Sequence, residues 1–248
     1  MARIVIAKLG GSVITDKSKP FSYRADVVSA LAEEIASSDE KTVVVHGGGS
    51  FGHTVALQQG VSADQPASNA GAISKTRGAM YDLNGLLCRT LMENKLFPYP
   101  FSPFDAVARA GKGPASRWLR ELLKYGLTPV TFGDVTLTSV GLKVLSGDIM
   151  VLELAKILEP ERCVFALDAD GVYEGETRVV IQELSPTKIR KIQVPAGKDA
   201  TGGMKLKLEI AAKIAALGPK VCFVSGYRRN EFSKAMKGHE FYGTVVRS

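Results

Sequence analysis

The chain has 248 residues, 45% of them hydrophobic, and a formal net charge of +7. That length buries a core without disulfides or metals, and the composition is ordinary for a globular protein. Cys88, Cys163 and Cys222 lie far apart with no C-x-x-C pair, which argues against a disulfide framework or zinc site and for a reducing compartment, with the cytoplasm expected. No uncharged stretch approaches the ~18 residues of a membrane span, so no membrane partner is expected. The opening Met1-Ala2-Arg3-Ile4-Val5 runs directly into a strand and leaves no room for a signal peptide. Basic residues are spread along the chain, densest at Lys188-Ile189-Arg190-Lys191, and no aromatics alternate with them. A base-stacking surface is therefore not expected, and no nucleic-acid partner.

Short β-branched runs alternate with longer amphipathic segments, the pattern of an α/β protein with a largely parallel sheet. Residues 3–9 read as the first strand. Residues 25–36 read as a helix with Val27, Val28, Leu31 and Ile35 on one face. Residues 42–45 form an apolar strand, as a sheet covered on both faces requires. A long helix follows at about 70–94, a strand near 97–101, a helix at 116–125 and a strand at 128–132. Residues 136–145 are two short alternating runs about Val140-Gly141, a hairpin protruding from the main sheet. A helix begins near Ser146 or Gly147 and runs to Leu158. The second half repeats the alternation: a strand at 162–167, a hairpin within 173–184 turning at Glu174-Gly175-Glu176, a helix at 203–217, a strand at 221–224, a short helix at 231–236 and a last strand at 244–246. No low-complexity linker divides the chain, so one domain over 1–248 with one continuous sheet is expected.

Four clusters carry chemistry. The first is Lys8-Leu9-Gly10-Gly11-Ser12, directly after the first strand. Paired glycines let backbone N–H groups approach a ligand closely, although a plain tight turn also needs glycine. The second is His46-Gly47-Gly48-Gly49-Ser50-Phe51-Gly52-His53, between an apolar strand and a helix. Glycines leading into a helix N-terminus form an anion site from N–H groups and the helix dipole. His53, placed in the first helical turn, is a hydrogen-bond donor to that anion. The same octapeptide spells G-x-G-x-x-G, but a dinucleotide site needs an acidic residue closing the next strand about 20 residues on. The chain there reads Asp64-Gln65-Pro66-Ala67-Ser68, a loop without a preceding apolar strand. No Walker A loop is present. The third cluster, Asp168-Ala169-Asp170-Gly171, leaves a strand where open α/β sheets bind ligands, or makes a simple Asp-Gly turn. The fourth, Asp199-Ala200-Thr201-Gly202-Gly203-Met204-Lys205-Leu206-Lys207, opens a helix with two lysines of which only one can face a phosphate.

Together, and with Ser146-Gly147-Asp148, these clusters resemble the amino acid kinase superfamily in order and spacing over nearly the whole chain. The Phe51-Gly52-His53 ending of the second loop resembles the isopentenyl phosphate kinase branch, and the fosfomycin kinase branch shares a similar ending. The resemblance implies a three-layer α/β/α sandwich with a central, mostly parallel sheet. It implies ATP-dependent phosphorylation of isopentenyl phosphate, and of dimethylallyl phosphate, for isoprenoid biosynthesis. The alternatives are fosfomycin or a carboxylate or carbamate acceptor, or a nucleotide-binding regulator without catalysis. The superfamily's usual homodimer and Mg²⁺ carried by the nucleotide are expected, with no protein-held metal.

By the same resemblance, Lys8, Gly10, Gly11, Ser12 and Gly49 hold the ATP phosphates, Lys17 stabilises the transition state, and Lys8 and His53 share in catalysis. Asp168, Asp170, Gly171, Gly203 and Lys207 line the nucleotide site. Gly48, His53, Gly147 and Asp148 bind the acceptor. The acceptor lobe is expected at about 1–160 and the nucleotide lobe at 161–248. Two positions depart from the family pattern: Ile149, commonly aspartate, and Leu167-Asp168-Ala169, where a threonine and a valine are more usual. A phosphate monoester is already largely ionised near neutral pH, with a second pKa of ~6, so the reaction needs no general base. A prenyl tail needs an apolar pocket, for which Ile73, Met80, Leu83 and Leu87 offer helical spacing unless they are ordinary core.

Overall fold

The computed structural model describes residues 3–59, 69–102, 112–138, 141–175, 177–190, 192 and 203–248. The expectations for residues 64–68, 140, 176, 191 and 199–202 lie outside them. In chain order the first half comprises β1 (Ile4–Leu9), the single turn α1 (Gly11–Ile14), α2 (Ala25–Ala36), β2 (Lys41–His46), α3 (Gly49–Gln58) and α4 (Ala70–Glu93). Next come β3 (Pro98–Pro100), α5 (Lys112–Lys124), β4 (Thr128–Phe132), β5 (Asp134–Thr138), β6 (Gly141–Leu145) and α6 (Gly147–Leu158). The rest is β7 (Arg162–Leu167), β8 (Glu183–Leu184), α7 (Pro186–Ile189), α8 (Gly203–Ala215), β9 (Lys220–Ser225), α9 (Glu231–Lys237) and β10 (Gly243–Val246).

Eight strands form one sheet in the order β3-β4-β2-β1-β7-β9-β10-β8. Its neighbours pair in parallel except β9 and β10. Alternation along β1 sends Ile6 to one face and Val5, Ala7 and Leu9 to the other. The Ile6 face packs on α5, α6 and α8, and the opposite face on α1–α4 and α9, which makes the expected three layers. Phe132, Phe165, Phe223 and Phe232 are fully buried, each burial contributing about 1.5–3 kcal/mol. The ends of three strands are level, because Leu9 stands opposite both His46 and Ala166. The loops carrying the first three sequence clusters therefore emerge side by side at the carboxyl edge, where β1 lies between β2 and β7.

The expected hairpin is β5–β6, and it begins two residues earlier than its alternation suggested. It forms a separate two-stranded sheet beside the main one, as the protruding hairpin was expected to, while the eight-stranded sheet runs through both halves of the chain. Asp134, its side chain only 2% exposed, pins it: Oδ2 lies 2.9 Å from Arg77 Nη2 on α4, and Oδ1 accepts from Val135 N at 2.7 Å. The second expected hairpin shrinks to one antiparallel bridge, Tyr173 with Val180. Its far arm leaves to pair with β10 as β8, where sheet hydrogen bonds replace those of a longer hairpin.

Candidate active site

Two glycine loops press together above the sheet. Gly47 N donates to Leu9 O at 3.0 Å, and Gly10 N to Ala166 O at 3.1 Å, which ties both loops to neighbouring strand ends. A β-carbon on Gly11 would collide with Gly49 N and sit 2.8 Å from Gly49 Cα, so the approach is backbone on backbone. Gly48 (φ −77°, ψ −28°) followed by Gly49 (φ +48°) gives the right-handed to left-handed alternation in which successive N–H groups converge on an anion. Thr15 Oγ1 accepts from Ser50 N at 2.8 Å and donates to Gly11 O at 2.7 Å, locking the second loop to the first. His46 fixes the root of the run: Nδ1 lies 3.0 Å from Gly47 O, Nε2 lies 3.2 Å from Asn84 Oδ1, and the ring stacks on Phe132. Burial draws its pKa down to about 4, so it is neutral near neutral pH.

These loops border a cavity of about 260 Å³. Its floor holds a charge cluster assembled from three elements. Lys8 shares the Ile6 face of β1 and so points toward α6 and α8. There Asp148 Oδ1 lies 2.7 Å from Lys8 Nζ, and Asp148 Oδ2 lies 2.9 Å from Lys207 Nζ on α8. Oδ1 meets Lys8 as an ion pair without hydrogen-bond geometry, whereas Oδ2 accepts a hydrogen bond from Lys207. Ser146 caps α6, its Oγ accepting from Ile149 N at 3.3 Å, and so sets Asp148 in the first turn, where the helix dipole favours a carboxylate. Burial alone would raise the Asp148 carboxyl, but the charges of Lys8 and Lys207, with the hydrogen bond from Lys207, outweigh it and hold it well below the usual carboxylate range. Burial pulls Lys8 below the ordinary lysine value, opposed by Asp148 and reinforced by Lys207.

Lys17 reaches the cavity from an exposed turn beyond α1, in which Asp16 Oδ1 accepts from Ser18 N at 3.0 Å and Ser18 Oγ at 2.7 Å. On the other wall stand Gly48 and His53, and both also line a second cavity of about 40 Å³. That second space is mostly apolar, bounded by Ala56, Met80, Val135, Val144 and Leu145 with Asp134 and Thr76 at its margin. Two larger clefts, about 620 and 550 Å³, lie beside α7 and α8 and contain none of the glycine loops.

The main cavity brings together Lys8, Gly10, Gly11, Ser12, Lys17, Gly48, His53, Gly147, Asp148, Asp168, Gly203 and Lys207. Three sequence candidates stand outside its lining. Gly49 is behind it, against Gly11. Asp170 is gripped by Arg228, with Nε to Oδ1 at 2.6 Å and Nη2 to Oδ2 at 3.0 Å. Gly171 packs on Thr244. His53 is the fifth residue of α3, one beyond the expected first turn. Lys207 faces the site and Lys205 is exposed, in line with the expectation for that pair. Of the tail candidates, Met80 lines the small cavity, Ile73 packs beside it, and Leu83 and Leu87 are fully buried core. Sequence reading gave Ser146, Met204 and Thr15 no individual role at the site, although they lie within or beside its motifs; only Ser146 carried a signal of its own, as a serine before a predicted helix.

The amino acid kinase family model matches residues 3–225. The isopentenyl phosphate kinase of Haloferax volcanii is 33% identical over 98% of this chain and 98% of its own length. That of Thermoplasma acidophilum is 28% identical over 98% of this chain and all of its own. A solved isopentenyl phosphate kinase substrate complex superposes with a TM-score of 0.79 at 26% identity, over 99% of this chain and 100% of that one.

Proposed function

We propose that this chain, which belongs to the amino acid kinase family, transfers the γ-phosphate of ATP to isopentenyl phosphate, and to dimethylallyl phosphate, giving the diphosphate. The observation that carries this reading is the double position of Gly48 and His53. They border both the polar cavity and the small apolar one, which suits an acceptor with a phosphate at one end and a short hydrocarbon at the other. The near full-length relatives named isopentenyl phosphate kinase support it.

Lys8, Gly10, Gly11, Ser12, Gly203 and Lys207 are assigned to the donor phosphates, with Gly49 behind them. Asp168 borders the nucleotide, while Asp170 and Gly171 support that edge through Arg228 and Thr244. Gly48, His53 and Gly147 receive the acceptor phosphate. Asp148 serves that centre by holding Lys8 and Lys207 together, because both its oxygens already face lysines. For the same reason it is not offered to a metal, and Mg²⁺ carried by the nucleotide would offset the charge of its phosphates.

An ionised oxygen of the acceptor phosphate attacks the γ-phosphorus in line, a new O–P bond forms, the bond to the bridging oxygen breaks, and ADP leaves. Two polyanions must meet, so alignment and charge neutralisation supply most of the acceleration. Lys8 lies beneath the transferred group, Lys17 approaches from the open side, and His53 donates a hydrogen bond to the acceptor. A homodimer with an acceptor lobe over 1–160 and a nucleotide lobe over 161–248 completes the proposal. ADP release from Mg-ATP with isopentenyl phosphate, dimethylallyl phosphate, fosfomycin and a carboxylate panel tests it. Turnover confined to fosfomycin or a carboxylate would sink it.

A further inference from the structure

The one-turn helix α1 is too short to be stable alone, and its last carbonyls have no partners within it. Three of them are met from outside it. Gly11 O accepts from Thr15 N, and Ile14 O from Arg24 N. Ser12 O accepts from two side chains distant in sequence: Arg24 Nη1 at 3.2 Å and Tyr227 Oη at 3.1 Å. Arg24 Nη1 also donates to Tyr227 Oη at 2.5 Å, leaving the phenol hydrogen for Ser12 O. Burial raises the Tyr227 phenol above its ordinary value, which keeps that hydrogen in place. The other terminal nitrogen of Arg24 lies 3.8 Å from Asp16 Oδ1, the oxygen that organises the turn containing Lys17.

We propose that Arg24, braced by Tyr227, is a positioning residue that fixes the Lys17 turn relative to the donor loop. It is not among the residues lining the cavity. One guanidinium joins the Ser12 carbonyl on the donor loop, the base of the Lys17 turn, and the segment after β9. The neck of the Lys17 segment is closed alongside by the Thr15–Tyr23 bridge and by Asp16 N donating to Ser22 O at 2.9 Å. Its far side is held by Phe21, whose φ of +53° is rare for a bulky residue and whose ring meets Phe51 edge-on at 5.3 Å. A shape specified at three points has a use if Lys17 must arrive at one place when the γ-phosphoryl group is in flight.

The inference rests on the kinase reading of this site, and its test separates the two. Wild type, Arg24→Ala, Arg24→Lys and Tyr227→Phe are compared for kcat, for KM of Mg-ATP and of isopentenyl phosphate, for melting temperature, and for tryptic cutting at Lys17-Ser18. A misplacement near 1 Å costs about 100-fold, so Arg24→Ala is expected to lower kcat by about that factor, with both KM values within about threefold. Arg24→Lys, able to reach one partner but not to fork, is expected to recover part of the rate. Cutting at Lys17 is expected to rise by about tenfold while other sites stay protected, since proteolysis tracks local opening. A kcat for Arg24→Ala within threefold of wild type overturns the proposal. So does a loss matched by a general rise in cutting and a collapsed melting temperature. If Arg24→Ala does not fold, Tyr227→Phe is read by the same criteria. Selective opening at Lys17 in a protein whose wild type ignores isopentenyl phosphate would uphold the clasp and remove the acceptor.

Discussion

Replacing Asp148 with asparagine tests the centre of the site. The change keeps the shape and removes one negative charge from between Lys8 Nζ at 2.7 Å and Lys207 Nζ at 2.9 Å. The two lysines are not equal: the Lys8 side chain is 4% exposed, that of Lys207 20%. Lys207 finds water more readily, so the cost falls mainly on Lys8. Removing one partner of a buried pair costs about 3–5 kcal/mol, and that loss is expected in urea unfolding at about pH 7. The gap depends on pH with a definite sign. The Asp148 pKa is depressed by folding, so its stabilisation is present above the unfolded value of about 3.9 and is lost as pH falls further. Wild type and Asp148→Asn are therefore expected to converge in acid.

Lys8 supplies a second signature. Burial already favours its neutral form and Asp148 opposes that, so the substitution lowers its pKa further. Turnover is expected to fall by about 100–1000-fold, as for loss of a charge-stabilising donor, and to decline with rising pH earlier than in wild type. Stability within 1 kcal/mol of wild type, turnover within threefold and an unchanged pH profile, taken together, would refute the assigned role.

His53→Ala removes a hydrogen bond to a charged group worth about 1.5–3 kcal/mol, so kcat/KM for isopentenyl phosphate is expected to fall by about 10–100-fold with KM for ATP unchanged. Equal losses for both substrates would place His53 elsewhere. Met80→Ala is expected to cost about 2–5 kcal/mol in unfolding assays and to improve longer prenyl phosphates relative to isopentenyl phosphate. An unaltered preference would remove Met80 from the tail site. Gly11→Ala drives a methyl group into the Gly49 backbone, and a turnover loss beyond about 100-fold is expected even where circular dichroism shows a folded protein.

Element positions were largely legible because β-branched runs and helical periodicity are local properties. The helix at 25–36 and the strands at 128–132 and 162–167 coincide with α2, β4 and β7. The glycine loops were legible too, since close backbone approach leaves few alternatives to glycine. What the sequence withheld was who meets whom. Asp148 sits beside Gly147 in a motif that points to the acceptor, yet its carboxylate bridges residues 140 positions before it and 59 after it. Alternation along β1 groups Lys8 with Ile6, but only sheet order and the packing of α6 and α8 show what lies over that face. Arg24 stands just before the helix at 25–36 and drew no reading, and nothing local ties it to Tyr227, 203 positions away. Asp170 was placed at the nucleotide site by its position past a strand end and by the family resemblance, with a plain Asp-Gly turn as the alternative; its Arg228 partner comes from the segment after β9.

The level pairing of Leu9 with His46 has a further consequence. On the proposed assignment the donor loop leaves the sheet from one of these residues and the acceptor loop from the other, so the spacing between the two phosphates is a gauge cut into the backbone ladder. Substitutions that leave the backbone of the two loops in place alter affinity or charge without resetting that gauge. A slip of one residue would shift it by about 3.3 Å and turn Lys8 to the wrong face. No partial slip exists between those two states, so the strand register itself is lost only with the ladder. On heating, residual turnover per folded molecule is therefore expected to hold until far-UV circular dichroism falls, and then to vanish with it.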